Sequence, residues 1–138
     1  MAGYSPRSLP EKLGIRPGTR IVALKAPQTY AAILCQLPEG TTVQGRLPSR
    51  TEFLHCFARR RAELAQGFPR WAKSLTDNGT LWVSWPKRSA GLETDLTENV
   101  VREIGLTLGL VDVKVCAIDD VWSGLKFVRR VANRGGRA

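Results

Sequence analysis

Short apolar runs alternate along the chain with segments in which apolar residues recur at helical spacing, and this alternation predicts an α/β fold. Residues 20–25 form the first predicted strand. Residues 29–37 form a short predicted helix that ends at Pro38-Glu39-Gly40. Residues 41–47 begin with β-branched side chains and form a second predicted strand.

The segment from Ser49 to Phe68 is predicted to be the longest helix. Ser49 and Glu52 have the spacing of a capping box, which marks a helix start. Four apolar residues of the segment fall on one stripe at helical spacing: Phe53, Phe57, Leu64 and Phe68. The only histidine, His55, would lie on this helix, and we interpret it as a structural residue close to the core.

The second half of the chain is predicted to contain one more helix and three strands. Asp77-Asn78-Gly79 predicts a tight turn into a strand over residues 80–85. A capping pair at Asp95 and Glu98 predicts a helix that ends at Gly109. The chain closes with two alternating segments that predict an antiparallel pair at a sheet edge, residues 111–116 and 124–128.

These elements predict a three-layer, Rossmann-like α/β sandwich, with a mostly parallel sheet and an antiparallel C-terminal hairpin. The 138 residues suffice for one such core and not for two. We therefore expect a single domain over residues 13–130. A flexible N-terminal tail over residues 1–12 and a basic, disordered tail over residues 131–138 are expected to flank it.

The chain is strongly basic, with a formal net charge of +9 and a pI near 10.2. Basic side chains crowd both ends, and Arg129, Arg130, Arg134 and Arg137 lie close together after the last predicted strand. Such an excess favours polyanions, although solvated charge that keeps the protein soluble is the simpler explanation. The expected partners are an anionic small molecule or nucleic acid, and both a monomer and a homodimer stay open.

Composition argues against several classes of protein and site. No apolar run approaches the ~20 residues that span a bilayer, so we expect a cytoplasmic protein without membrane contact. Cys35, Cys56 and Cys116 lack the spacing of a zinc site and are expected to be buried thiols. We predict no metal site and no catalytic residue, because His55 and Cys56 would point apart on a helix and Asp119-Asp120 suits a turn.

Two stretches resemble class I methyltransferases, which bind S-adenosylmethionine on a doubly wound sheet. Leu13-Gly14-Ile15-Arg16-Pro17-Gly18-Thr19-Arg20-Ile21-Val22 resembles the approach to the first strand of that family. Residues 75–84 resemble its helix, turn and later strand, and the closing pair of strands is similar to its β-hairpin ending. The resemblance implies a reduced methyltransferase-like sheet with room for five or six strands.

The cofactor motif of that family is replaced in this chain. In the family the first strand runs into an acidic residue and a G-x-G-x-G turn, where this chain has Lys25-Ala26-Pro27-Gln28-Thr29. A second acidic residue, which would contact the ribose, is replaced by Arg46-Leu47-Pro48. Glycines let backbone N–H groups approach a phosphate or ribose, and Lys and Pro do not. We therefore expect no cofactor.

The whole chain also resembles a small bacterial family known only as a domain of unknown function. The resemblance extends from about Leu13 to Arg130. It is carried by five stretches: Leu13-Gly14-Ile15-x-Pro17-Gly18, Trp82-Val83-Ser84-Trp85-Pro86-Lys87, residues 94–98, residues 109–116, and Trp122-Ser123-Gly124-Leu125-Lys126. It implies a shared fold and brings no activity with it.

Ligands of open α/β sheets bind beyond the carboxyl ends of the strands. The residues expected to meet there and bind a ligand are Gln28, Thr29, Tyr30, Trp85, Lys87 and Arg88. Charge and stacking would suit an anionic, planar ligand. The favoured function is a non-catalytic binding module that lost its S-adenosylmethionine site, and not an enzyme. The alternatives are a methyltransferase-like enzyme with an atypical pocket and a basic accessory protein that binds nucleic acid.

Overall fold

A computed structural model describes residues 7–130, which form a six-stranded mixed sheet covered by helices on both faces. The strands are β1 (Arg20–Leu24), β2 (Thr42–Gln44), β3 (Thr51–Phe57), β4 (Leu75–Pro86), β5 (Leu110–Ala117) and β6 (Trp122–Arg129). The helices are α1 (Leu9–Leu13), α2 (Tyr30–Leu34), α3 (Arg61–Ser74) and α4 (Glu98–Thr107), and a short 3-10 turn follows β4 at Arg88–Ala90.

The strand order across the sheet is β2-β1-β3-β4-β6-β5. The first four strands run parallel to one another, while β6 is antiparallel to both β4 and β5. The predicted α/β class and the antiparallel closing pair are therefore confirmed. Strand β5 forms one edge of the sheet, as expected, and the short strand β2 forms the other.

Successive side chains of the central strands point alternately into two hydrophobic cores, one on each face of the sheet. Phe53 and Phe57 of β3 pack with Tyr30 and Leu34 of α2 and with Leu13 of α1 on one face. The intervening Leu54 and Cys56 pack on the opposite face with residues of α3 and α4. Because β3 is buried on both faces, its apolar residues follow one another with little polar interruption, as in other central parallel strands.

The prediction of a helix over residues 49–68 is wrong for its first half. Strand β3 occupies Thr51–Phe57, and the helix begins only at Arg61. A short apolar run with aromatic residues is compatible with both the helical and the strand periodicity. Here the segment is a strand because its side chains are buried on both faces of the sheet. The apparent capping box at Ser49 and Glu52 caps no helix, and Glu63 instead caps α3 through the backbone of Arg60.

The predicted turn at Asp77-Asn78-Gly79 lies within the first half of β4. Thr51 pairs with Leu75, and the next pair along the two strands, Phe53 with Thr80, follows after a register shift. The turn-forming residues therefore make an irregularity in the strand, where extra residues of β4 face β3, instead of starting the strand.

Other boundaries move by a few residues. Helix α2 is shorter than predicted, and α4 begins at Glu98 with Thr97 as its cap, because the Thr97 hydroxyl accepts the N–H of Val100. Helix α1 lies partly within the predicted N-terminal tail, and a Ser8–Glu11 capping box starts it. Within residues 7–130, no helix has the length and apolar character that crossing a membrane requires. The whole of the predicted C-terminal tail, residues 131–138, lies outside the described residues.

Candidate functional site at the carboxyl edge of the sheet

The sheet has a topological switch point between β1 and β3. Helix α2 connects β1 to β2 and packs on one face, whereas α3 connects β3 to β4 and packs on the other. The two connections leave neighbouring strands in opposite directions, so a crevice opens beyond their carboxyl ends. In open α/β sheets this crevice is where ligands bind.

A pocket of about 420 Å³ lies at this switch point. Leu24 and Lys25 line it from the end of β1, and Phe57 and Ala58 line it from the end of β3. Gly45 follows β2 and completes the strand side of the pocket. Helix α3 supplies the remaining wall, which consists of Glu63, Gln66, Gly67, Arg70 and Trp71. The pocket therefore combines apolar and aromatic side chains with one carboxylate and two cations.

The backbone turns sharply at Lys25, directly after β1. Lys25 has φ +56°, in the left-handed region that glycine adopts readily and other residues rarely do. The chain thus makes at this position a backbone bend for which the sequence offers no glycine. A strained, exposed residue that lines a pocket at a strand end is typical of a functional site.

We expect Lys25→Gly to stabilise the protein by about 0.5–1 kcal/mol, because relief of left-handed strain exceeds the entropy cost of glycine. Lys87→Gly is the matched control, since Lys87 has φ −66° and gains nothing from glycine. Urea unfolding of both variants measures the difference. If Lys25→Gly destabilised the protein as much as Lys87→Gly did, the backbone at Lys25 would not be strained.

Glu63 is held as an ionised carboxylate in the first turn of α3. Its Oε1 atom accepts the backbone N–H groups of Arg59 at 3.0 Å and of Arg60 at 3.2 Å. These hydrogen bonds lower the pKa of Glu63, and the bond from Arg59 has the larger effect. The positive charges of Lys25 and Arg60 also lower this pKa. One carboxylate oxygen is thereby fixed to the helix start, which orients the side chain.

The structure distributes the predicted ligand-binding residues around the sheet. Tyr30, the first residue of α2, is buried on one face of the sheet, and Trp85 is buried on the opposite face among residues of α3 and α4. Lys87 and Arg88 follow β4, where the backbone N–H of Lys87 donates to the Val121 carbonyl at 2.7 Å. Gln28 and Thr29 are exposed between β1 and α2. Of these six described residues, none lines the switch-point pocket.

Tyr30 belongs instead to a buried chain of hydrogen bonds across the sheet. Its hydroxyl lies 2.9 Å from Nδ1 of His55, and Nε2 of His55 lies 2.8 Å from the Ser84 hydroxyl. His55 also stacks on Phe57, with ring centroids 4.4 Å apart. The interpretation of His55 as a structural residue fits these contacts, although it lies on a central strand and not on a helix. Burial lowers its pKa from 6.5 to about 3, so the imidazole is neutral.

Two smaller predictions are settled by the described residues. Cys56 and Cys116 are buried thiols, as predicted, but Cys35, which directly follows α2, is exposed. Asp119 forms a turn, with its Oδ1 atom accepting the N–H groups of Val121 and Trp122. Among residues 7–130, no three His, Cys, Asp or Glu side chains come together as ligands of a metal ion.

The same architecture occurs in solved methyltransferases. Magnesium protoporphyrin IX methyltransferase from Synechocystis PCC 6803, solved with bound S-adenosylmethionine, matches with TM-score 0.56 and 12% identity, over 88% of this chain and 74% of that one. Ribosomal protein L11 methylase from Lactobacillus delbrueckii subsp. bulgaricus matches with TM-score 0.54 and 10% identity, over 88% and 75%. The fold is methyltransferase-like.

A third match is longer than this chain. An O-methyltransferase from neocarzinostatin biosynthesis, in complex with S-adenosylmethionine and 2-hydroxy-5-methyl naphthoic acid, matches with TM-score 0.61 and 12% identity. The match covers 82% of this chain and 49% of that one. No protein-family model and no curated protein matches the sequence, so the resemblance to the small bacterial family stays a prediction.

These matches correct the expectation of a non-enzymatic protein. The three proteins named above share this fold and are methyltransferases, so the fold gives no support to a non-enzymatic protein. The expectation rested on the missing glycine turn and acidic residue. That argument was incomplete, because the backbone at Lys25 adopts the left-handed conformation without glycine and because Glu63, on α3, brings a carboxylate to the pocket from outside the expected motif.

Sequence reasoning missed the α3 side of this pocket for one reason. The predicted helix over residues 49–68 merged β3 with the start of α3, so Phe57, Ala58 and Glu63 appeared to belong to a single helical surface. The signal that was available is the Arg60-x-x-Glu63 spacing, in which a Glu three residues into a helix returns to bond the N-cap backbone.

Proposed function

We propose that the chain is a methyltransferase-like enzyme that binds S-adenosylmethionine in the switch-point pocket through residues other than the usual motif. The observation that carries this proposal is the pocket itself. It lies between the carboxyl ends of β1 and β3, where the connections diverge, and it contains a strained turn and an oriented carboxylate. When bound, the cofactor would supply an electrophilic methyl group.

The residues of the pocket fit the chemical groups of this cofactor. The Glu63 carboxylate suits the ribose hydroxyls, as acidic residues do in other nucleotide-binding sheets. Phe57 and Trp71 offer apolar and aromatic surface to the adenine ring. Lys25 and Arg70 offer positive charge to the carboxylate of the methionine portion. The volume of about 420 Å³ lies within the range of small-molecule sites.

Removing the charge of Glu63 tests this proposal most directly. We expect Glu63→Gln to weaken binding of S-adenosylmethionine at least tenfold, measured by isothermal titration calorimetry, since a hydrogen bond to a charged group contributes about 1.5–3 kcal/mol. Gln preserves the capping pattern at the helix start, so the melting temperature should change little. Glu103→Gln, an exposed change on α4, is the matched control and should bind as the parent does.

Two outcomes would count against the proposal. Absence of any heat of binding for the parent protein, together with an unchanged melting temperature at saturating cofactor, would remove S-adenosylmethionine as the ligand, because binding at 100 times Kd adds about 2.7 kcal/mol. Equal binding by the parent and by Glu63→Gln would place the cofactor elsewhere. The methyl acceptor is left open by this assignment, as is membership of the small bacterial family.

A further inference from the structure

A second and larger concavity lies at the opposite, amino-terminal edge of the parallel strands. Residues that precede β1 and β3, together with the first residues of β4 and the last of β6, line a groove of about 1190 Å³. We call it the amino-edge groove. Nothing in the proposed cofactor site reaches it, since that pocket lies beyond the carboxyl ends of the same strands.

The amino-edge groove is rich in positive charge. Its basic side chains are Arg16, Arg50, Lys73, Lys126 and Arg129. Its two acidic side chains are Glu52 and Asp77, and Asp77 lies 3.9 Å from the Nε atom of Arg129. Arg129 is buried and donates to the carbonyls of Ala72 and Leu75, so it supports the wall of the groove. Cations thus outnumber acids by five to two.

Four of these cations make no side-chain ion pair with another described residue. Arg16, Arg50 and Lys73 are exposed and Lys126 is half-buried, and no salt bridge within residues 7–130 involves any of them. Burial lowers the pKa of Lys126, and the nearby charges of Lys114 and Arg16 lower it further. Like charges are therefore held close together, and a bound anion would relieve their repulsion.

The other lining residues decide which polyanion fits. The remaining walls carry short polar side chains, including Thr19, Ser49, Thr76 and Asn78. The only apolar side chains in the lining, Phe53 and Leu75, are themselves buried. A protein partner would need apolar or aromatic anchors, and a concave surface does not match a flat membrane. Hydroxyl, amide and cationic groups without apolar anchors are typical of contacts to nucleic-acid phosphates.

We propose that the amino-edge groove binds the phosphate backbone of nucleic acid without reading its sequence. Arg50 and Lys73 make phosphate contacts from the exposed rim, and Lys126 makes one from within the groove. The short polar side chains accept or donate hydrogen bonds to phosphate and sugar oxygens. The groove holds the strand while the carboxyl-edge pocket stays open.

The test measures binding of the full chain to a fluorescent 20-base-pair DNA duplex of mixed sequence, and to the RNA duplex of the same sequence, by anisotropy between 50 and 200 mM salt. Each phosphate contact contributes about 0.9 to the slope of log affinity against log salt. We expect the triple variant Arg50→Gln, Lys73→Gln and Lys126→Gln to lower that slope by about 2–3. Affinity at 50 mM salt should fall at least tenfold.

Three further variants separate the groove from other sources of binding. Arg50→Gln with Lys73→Gln changes exposed residues only, so it keeps the test valid if replacement of Lys126 disturbs folding; the slope should fall by about 1.8. Arg46→Gln with Arg61→Gln removes two exposed charges outside the groove and should leave most of the slope. Arg134→Gln with Arg137→Gln removes two charges of the C-terminal tail and should also leave most of it.

The proposal fails if the groove variants retain the parent slope while the tail variant loses it, since the tail would then provide the contacts. It also fails if the parent binds neither duplex. Two further ligands test for a different partner: vesicles of phosphatidylcholine and phosphatidylserine, and polyglutamate. If binding to either depends on Arg50 and Lys73 while binding to the duplexes does not, the groove binds that class of partner and the proposal is wrong.

Discussion

Lowering the pH from 7 to 5 is expected to reduce the free energy of unfolding by about 2 kcal/mol through His55 alone. The folded protein keeps this imidazole neutral, because it is fully buried between Tyr30 and Ser84. Its pKa is about 3 in the folded state, against 6.5 in an exposed chain. Unfolding therefore takes up a proton anywhere between those two values.

The sign of the effect follows from that difference. A histidine with a lowered pKa contributes its full stability above pH 6.5 and loses it as the pH falls towards 3. Well below pH 6.5 the loss approaches about 1.4 kcal/mol for each pH unit. Carboxylates whose pKa is lowered in the folded state, such as Glu63 and Asp112, act in the same direction, but only nearer pH 4. The window from pH 7 to pH 5 therefore isolates the histidine.

His55 is the only histidine in the sequence, so no other histidine contributes to the pH dependence of stability. Urea unfolding of the parent at pH 7, 6 and 5 gives the slope, and His55→Gln should give a nearly flat line over the same range, although at lower stability. If that variant does not fold, proton uptake on unfolding the parent at pH 5.5 supplies the same information and should be close to one proton. A stability independent of pH from 7 to 5 would mean that His55 titrates equally in both states.

Gly105→Ala is expected to destabilise the protein by about 1–2 kcal/mol net, although alanine is the better helix former. An alanine Cβ at this position of α4 would overlap the Phe127 ring, with Cε1 as the nearest atom. Phe127 is fully buried and packs edge-to-face on Phe68, so its ring has no space into which to move. Overpacking of this kind costs about 1–3 kcal/mol, whereas helix propensity alone would favour alanine by about 1 kcal/mol.

The experiment therefore asks whether Gly105→Ala lowers or raises the free energy of unfolding. Glu103→Ala, at an exposed position of the same helix, should alter urea stability by less than about 0.5 kcal/mol. Introducing Gly105→Ala into Phe127→Leu should cost less than introducing it into the parent, because the contact has been removed. Stabilisation by Gly105→Ala in the parent would show that α4 and β6 are packed less closely than described.

The fold could be predicted from the sequence wherever one periodicity dominated. The closing segments alternate clearly, and β5 and β6 form the expected antiparallel pair. Residues 53–57 did not allow the same inference, since an apolar run buried on both faces of the sheet carries no alternation. The Asp77-Asn78-Gly79 prediction identified a real irregularity, but pairing of Leu75 with Thr51 places it inside a strand.

The candidate site was harder to predict because it depends on residues distant in sequence. The strand-end rule directed attention to the carboxyl edge, where the backbone turns at Lys25 directly after β1. Which face each side chain takes is set by packing, however: Tyr30 turns inward to His55, and Glu63 reaches the pocket from a helix that the sequence placed too early. A left-handed lysine leaves no signal in the sequence at all.

A crystal structure of the protein with S-adenosylhomocysteine tests most directly whether the switch-point pocket holds an adenosyl cofactor, as we propose. We predict electron density for the adenosyl group between Lys25, Phe57 and Glu63, with the ribose hydroxyls within hydrogen-bond distance of the Glu63 carboxylate. Density for the ligand on another surface, or crystals grown at saturating ligand with none in this pocket, would contradict the account.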